Sequence, residues 1–439
     1  MSPTYNERVI DDALAQLGDL IRFDTSNFGP GEARGEREAA EYIAGKLDEV
    51  GIGCRLLESA PRRTTLVAEW APAGVDESVP PLLIHGHTDV VPAVKEDWQV
   101  DPFSAAEQDG CIWGRGAVDM KDFDAMVLAV VRDRVRTHRP PRRPIRLVFT
   151  ADEECGGKFG SHWLVDNHPE LVADCPEAIG EVGGFSLTLP DRRMYLIQTA
   201  EKGLAWLRVI ATGKTGHGSF RNAENAVTDL AQAIARVGAH RWPPRITVTQ
   251  RRFLDALEDA LQIQINYDDA ETTLGCLGSI SRMIGAAMSN SANPTLLQAG
   301  YKLNVIPGQA IGGLDGRFIP GYEDEFWATL NELLGEGFRI EPEQVDVAVE
   351  TDFSGALVDA MTASLQAEDP GSIAVPYMTS VGTDAKAWSR LGIRCFGFAP
   401  LLLPPDIDFV SLFHGVDERI PVTALAFGVR VLDRFLDAA

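Results

Sequence analysis

Four short segments of the 439-residue chain gather the histidine and carboxylate side chains that bind divalent metals and move protons. They are His85-Gly86-His87-Thr88-Asp89, the stretch Gly114–Lys121 with Asp119, Asp152-Glu153-Glu154, and Gly180-Glu181; a fifth, His414-Gly415-Val416-Asp417-Glu418, lies near the C-terminus. Imidazole and carboxylate donors with no thiolate among them suit a hydrolytic zinc or similar divalent centre that keeps positions open, rather than a closed structural site. Each segment alone has a plainer explanation. A strand-end histidine is commonly a hydrogen-bonded residue, a Glu-Glu pair is commonly a solvated face, and Asp119 suits a helix cap. Their joint occurrence, mostly beside glycines that let the backbone turn tightly, favours the metal centre.

These residues need a scaffold, and most of them directly follow strand-like runs, the place where α/β folds hold ligands and catalysts. The β-rich runs are Thr65–Trp70, Leu82–Ile84 and Ile145–Thr150, with a helical pattern around Asp124–Val135 between the last two. Before them, Thr4 and Glu7 fit a capping box, and Val9, Ala13, Leu14, Leu17 and Ile21 recur at helical spacing. A second helical pattern covers about Glu36–Val50, with Gly51 as its stop. From about Thr199 the texture changes to a strand over Gly203–Thr212, a helix over Glu224–Val237, a strand over Ala310–Phe318 and a helix over Tyr322–Leu334. After Glu350 the α/β pattern resumes through a helix at Ser354–Leu365, a strand at Arg394–Phe398 and a helix at Thr423–Leu436. The expectation is one domain interrupted by another, with 251–299 giving no readable pattern.

Composition limits the alternatives. With 45% apolar and 24% charged residues the chain reads as globular. Forty basic against 64 acidic side chains leave a net charge of −24, which repels phosphate backbones and anionic membranes, so neither nucleic acid nor membrane is an expected partner. The six cysteines (Cys54, Cys111, Cys155, Cys175, Cys276, Cys395) are widely spaced and read as free, buried thiols. The first residues lack the basic and apolar regions of a signal peptide, and no apolar run reaches membrane-spanning length, which points to the cytoplasm.

Nine segments, taken in order, resemble the metallopeptidase M20 family, which includes aminoacylase-1, glutamate carboxypeptidase, succinyl-diaminopimelate desuccinylase and carboxypeptidase S. They are HGHTDVVP (85–92), GRGAVDMK (114–121), ADEE (151–154), GEVGG (180–184), GHGSF (216–220), NVIP (304–307), GRFIP (316–320), GTDA (382–385) and HGVDERIP (414–421). The resemblance implies an α/β fold: a zinc-peptidase-like catalytic domain from 1–199 and 350–439, with a mixed sheet flanked by helices, interrupted by a smaller α+β lid or dimerisation domain over 200–349.

It also implies two Zn2+ per chain, with Co2+ or Mn2+ as substitutes. Asp119 would bridge both ions, His87 and Glu181 would complete one, and Glu154 and His414 the other. Asp89 would orient His87 as a hydrogen-bonded carboxylate, and Glu153 would be the general base. His217 would stabilise the oxyanion across a homodimer built through the lid. Asn304 and Arg317 would bind the substrate and its carboxylate, and Gly382, Thr383 and Asp384 would line the substrate side. The implied reaction is hydrolysis of an amide in a small peptide or N-acyl amino acid. Glu at position 181 accompanies carboxypeptidase and deacylase members, whereas Asp there accompanies aminopeptidases, so a free substrate carboxylate is expected. The phrase KLNVIPG (302–308) is similar to the carboxypeptidase S branch.

Two departures from the family pattern stand out. Asp122-Phe123 replaces the usual small glycines after Asp-Met-Lys, and Cys155 follows the Glu153–Glu154 pair. Two other functions stand beside this one: a binding protein that has lost catalysis, which would require loss of a ligand or of Glu153, all of which this sequence keeps, and an N-carbamoyl amino acid amidohydrolase, which would release ammonia and carbon dioxide.

Overall fold

The strands Ile145–Thr150, Leu82–His87 and Glu177–Gly180 lie side by side, and both pairings are parallel, so their C-terminal ends share one edge of the sheet. Their nearly unbroken apolar runs follow from cover on both faces. Leu82, Ile84, Leu147 and Phe149 belong to the large core with Leu17, Val127 and Leu425 from the helices Tyr5–Arg22, Lys121–Arg136 and Val422–Ala438. Leu83, Val148 and Ala178 pack on the opposite side with Leu164 and Trp388. The sheet is mixed, as expected. The antiparallel strands Cys54–Ala60 and Arg63–Trp70 extend it on one side, and Arg394–Gly397, Arg193–Glu201 and Val349–Glu350 on the other.

This computed structural model describes residues 5–29, 32–73, 75–76, 78–190, 192–267, 274–275 and 280–439. Thr4, half of the expected capping box, and Cys276 lie outside them. The expected elements differ from the observed ones mainly at their ends: the helix around Asp124–Val135 begins at Lys121, and that over Glu224–Val237 runs from Ala226 to Ala239. The later start has a cause, because the Asn225 side chain accepts hydrogen bonds from the backbone N–H groups of Val227 and Thr228. Among the described residues no helix is long and apolar enough to cross a membrane.

A second, antiparallel sheet has the order Ser291–Ala299, Gln309–Phe318, Gly203–Thr212, Phe338–Asp346. The helices Ala226–Ala239 and Glu323–Leu334 cover it through Leu230, Ile234, Phe326 and Leu330, which form a separate core with Leu207, Val209 and Phe318. Between two strands of this sheet, described residues of 248–288 belong to the large core: Phe253, Leu254, Leu257, Ile284 and Met288 join it. Among the described residues the chain therefore passes between the two cores four times, at 201–203, 240–247, 288–291 and 346–349. At the outer two crossings, Lys386 Nζ donates to the carbonyls of Lys202 (2.5 Å) and Val347 (3.1 Å). At the inner two, Arg245 N–H donates to the Met288 carbonyl (2.8 Å).

Candidate active site

Each parallel strand end delivers one part of the site. His87 is the last residue of its strand, Glu153 and Glu154 lie just past Thr150, and Glu181 directly follows Gly180. Asp119 and His414 come from further away. A small sheet pairs Arg419–Pro421 with Cys111–Trp113, which sets the turn carrying His414 beside the loop carrying Asp119. Three of the turns hold a non-glycine residue in the left-handed region, at Asp152 (φ 66°), Val182 (φ 56°) and His414 itself (φ 58°). That conformation costs roughly 1–2 kcal/mol per residue, strain of the kind that active-site turns store.

Asp119 turns one oxygen to each histidine. Its Oδ1 lies 3.2 Å from His87 Nε2 and its Oδ2 3.3 Å from His414 Nε2. Glu181 Oε2 is 3.5 Å and Glu153 Oε2 3.9 Å from His87 Nε2, and Glu154 Oε2 is 2.9 Å from His414 Nε2. By distance alone, two groups of donors could each enclose a cation: His87, Asp119 and Glu154, and His87, Glu153 and Glu181. Asp89, fully buried, backs the first histidine: its carbonyl lies 3.0 Å and its Oδ1 3.7 Å from His87 Nδ1.

The charges around this cluster do not balance. Burial, then repulsion from Glu181, Asp384 and Glu154, raises the pKa of Glu153 well above the carboxylate range despite His87. Burial and Asp119 raise Glu154, and burial, with Asp119 and Asp384, pushes Glu181 up to about 7 although His87 opposes it. Burial works against charge on His87, but Glu181 and Asp119 outweigh it and raise its pKa. Hydrogen bonds to Asp119 and Glu154 push His414 up to about 10. Four carboxylates, of which Asp119 and Glu181 are buried and Glu153 and Glu154 partly buried, thus share two imidazoles as counter-charges. Divalent cations suit this set, since oxygen and imidazole donors converge and positive charge is what they lack.

A cavity of about 570 Å3 opens over the cluster, lined by Asp119, Glu153, Glu154, Glu181 and His414 and also by Arg317, Gly382, Thr383 and Asp384. Arg317 is held by Asp315, which accepts from its Nε (2.6 Å) and Nη2 (3.1 Å). The Thr383 hydroxyl donates to Glu201 (2.9 Å), and the Asp384 carboxylate accepts from Thr150 (2.5 Å) and Ser161 (2.5 Å). His217 and Asn304 do not join this cavity. They line a separate cleft on the smaller domain with Tyr301 and Gln309, where Gly218 N–H donates to the Asn304 carbonyl (2.9 Å) and His217 is exposed.

The two departures settle differently. Phe123 enters the core, and Asp122 is buried with a pKa that burial pushes up to about 8. Cys155 is half-buried, and burial with nearby carboxylates raises its thiol to about 12, which leaves it a poor nucleophile. Sequence reasoning missed Trp206, Leu204, Gln344 and Asp346, which line the cavity from the smaller domain, and Asn27, whose side chain donates to Asp89 (2.9 Å) and Asp152 (3.1 Å). Those from the smaller domain carried no local signal, because only the docking of two sheets brings them to the site.

Relatives share the whole architecture. Aminoacylase-1 from Sus scrofa is 28% identical over 420 residues, covering 91% of this chain and 89% of the relative. A probable carboxypeptidase S-like 2 from Dictyostelium discoideum is 26% identical over 374 residues, covering 82% of this chain and 71% of the relative. An M20 family metallo-carboxypeptidase from Sulfolobus solfataricus has the same fold, with a TM-score of 0.74 at 19% identity over 98% of this chain and 99% of that one. Human carnosine dipeptidase 1 superimposes with a TM-score of 0.70 at 15% identity, covering 99% and 98% of the two chains. The model of Peptidase family M20/M25/M40 matches residues 83–438, from the strand that ends in His87 to the last helix, and by that match the chain belongs to this family.

Proposed function

We propose that the protein hydrolyses the amide bond of a small peptide or N-acyl amino acid bearing a free carboxylate, at a centre of two divalent ions, zinc in the first instance. The observation that carries this reading is the position of Asp119, whose two oxygens face His87 and His414 while Glu153 stands beside the same cluster. His87, Asp119 and Glu181 would hold one ion, and Asp119, Glu154 and His414 the other. Bound there, such ions act as Lewis acids and lower the pKa of water towards neutrality.

The chain's own residues divide the remaining work. Glu153 accepts the proton of the attacking water at its carboxylate and returns it to the leaving nitrogen. Glu154 cannot exchange roles with it, because its carboxylate points to His414. Arg317 receives the substrate carboxylate across the cavity. Leu204, Trp206, Val381, Val410 and Phe413 give the same cavity an apolar wall, which suits a substrate with an apolar side group.

His217 and Asn304 serve the site of a second copy, in a homodimer through the smaller domain. Their separation from the metal cavity within one chain supports this, as does the edge strand Ser291–Ala299, which exposes Leu296 and Leu297 near the exposed Tyr301 and Leu303. The test is a panel of dipeptides, N-acetyl and N-succinyl amino acids, each also with its carboxylate amidated, given to zinc-, cobalt- and manganese-loaded protein. Amino acid release from the free acids and little from the amides is expected. No hydrolysis of any member would sink the reading; ammonia and carbon dioxide from an N-carbamoyl amino acid would redirect it.

A further inference from the structure

Glu418 lies four residues past His414 and is fully buried. Its Oε1 accepts the backbone N–H groups of Val118 (2.8 Å) and Asp119 (3.2 Å), and its Oε2 accepts that of Gly116 (3.1 Å) and Nη1 of Arg115 (2.7 Å). The Glu418 carbonyl accepts from Gly114 N–H (2.9 Å). One carboxylate thus gathers the loop 114–119 onto the turn that carries His414. Arg115 closes the arrangement: its Nη2 reaches the His414 carbonyl (3.5 Å), and its guanidinium lies over Trp98 (5.1 Å to the ring centroid). Gly116 takes φ +88°, and a Cβ there would meet Lys121 and Val90 at 2.9 Å, so the loop has little freedom to relax elsewhere.

We infer that Glu418, with Arg115, is a positioning residue for the metal centre: by binding the Asp119 loop and the His414 turn at once, it sets the distance between two ligands that the sequence places almost 300 residues apart. The physical reason is the donor geometry. Three converging N–H groups and a guanidinium orient a carboxylate rigidly, and charge-assisted bonds of this kind are the stronger ones. The ion pair between Arg115 and Glu418 offsets much of the cost of burying the two charges. Outer residues that fix metal ligands commonly change metal affinity by about 10- to 100-fold when altered.

The inference rests on the metal-centre reading, and one experiment separates the two. Zinc affinity is measured by competition with a chromophoric chelator for the wild type, Glu418→Gln, Glu418→Asp and Arg115→Met, with the thermal midpoint of each metal-free protein recorded in parallel. Glu418→Gln turns an amide N–H2 towards donors. It is expected to weaken zinc binding by about 10- to 100-fold and to lower kcat at limiting zinc, with kcat recovering when zinc is in excess and KM little changed. Arg115→Met keeps the acceptor of the N–H groups and is expected to show a smaller loss of the same kind. A wild type that binds no zinc would overturn the metal reading itself. Unchanged zinc affinity in the folded variants, even with lowered thermal midpoints, would overturn the inference alone, assigning Glu418 to stability only. Should Glu418→Gln and Glu418→Asp not fold, the Arg115→Met affinity decides by the same criterion.

Discussion

Asp89 accepts the backbone N–H of Glu153 at 3.1 Å through Oδ1, and its own carbonyl lies 3.0 Å from His87 Nδ1, so one buried residue holds both the turn that carries Glu153 and the ring of His87. Asp89 Oδ2 accepts Glu154 N–H at 3.2 Å. The turn 152–155 is thereby held from below, while the Glu153 and Glu154 side chains diverge above it.

Glu153→Ala removes the proton acceptor and leaves the donors of Asp119, Glu154, Glu181, His87 and His414 in place. Metal content measured by elemental analysis should stay near that of the wild type while kcat falls by roughly 100-fold or more, because general acid–base groups typically supply 10²–10⁴. Near-full activity of this variant would remove Glu153 from its proposed role.

His217 lines a cleft apart from the metal cavity, so a mixture of two inactive proteins becomes informative. Glu153→Ala chains carry an intact His217, and His217→Ala chains an intact Glu153. Mixed under conditions of proven subunit exchange, they should recover part of the wild-type activity. No recovery would mean that a site is completed within a single chain.

Arg317 is held by Asp315 and lines the same cavity as Asp119, Glu153, Glu154 and Glu181. Arg317→Met should lower kcat/KM for a free-acid substrate by about 10- to 100-fold, in line with the roughly 1.5–3 kcal/mol of a hydrogen bond to a charged group. The effect should fall mostly on KM. The same variant should barely alter the slow turnover of the carboxyl-amidated substrate, and an equal loss on both would argue against a carboxylate contact.

Lys202 is buried where the larger sheet continues into the smaller one, and Nζ donates to the carbonyls of Ser289 (2.7 Å) and Ala286 (3.1 Å). Burial, with repulsion from Arg317, lowers its pKa from 10.5 to about 7, although Asp315 opposes the shift. Between those values the folded protein binds fewer protons than the unfolded chain, so this residue makes folding more favourable as pH rises. Lys202→Met lacks the titration. In urea unfolding, the stability of the wild type relative to this variant should therefore grow from pH 7 towards pH 9, by at most about 1.4 kcal/mol per pH unit. A difference that stays flat or shrinks would contradict it.

Part of the candidate site was legible because strand ends, glycines and acidic residues leave local marks: His87, Glu153, Glu154 and Glu181 all lie at the ends of apolar runs that the structure places side by side. Asp119 and His414 stood out by residue type, but that they meet was legible only through resemblance, since it depends on the pairing of Cys111–Trp113 with Arg419–Pro421. Glu418 belongs to the segment HGVDERIP but carries no local mark of a role, as nothing in its neighbours shows that it accepts N–H groups from residues 116–119. Within 251–299, the strand Ser291–Ala299 contains Pro294 and is largely exposed, so it lacks the alternation of a half-buried strand. The helix Val248–Leu261 did carry a readable start, the capping box of Thr247 and Gln250.

The return of 248–288 to the large core changes how the smaller domain can behave as a mechanical part. A flap on two strands swings about whatever line joins them, and one cut leaves it dangling. Here, among the described residues, four connections cross, clasped in pairs by Lys386 and by the Arg245–Met288 bond. Opening the cleft must bend or carry all four, which favours small, stiff rotations over wide excursions. A single protease nick within 240–247 would leave three covalent tethers, so a nicked enzyme should keep its cleft assembled.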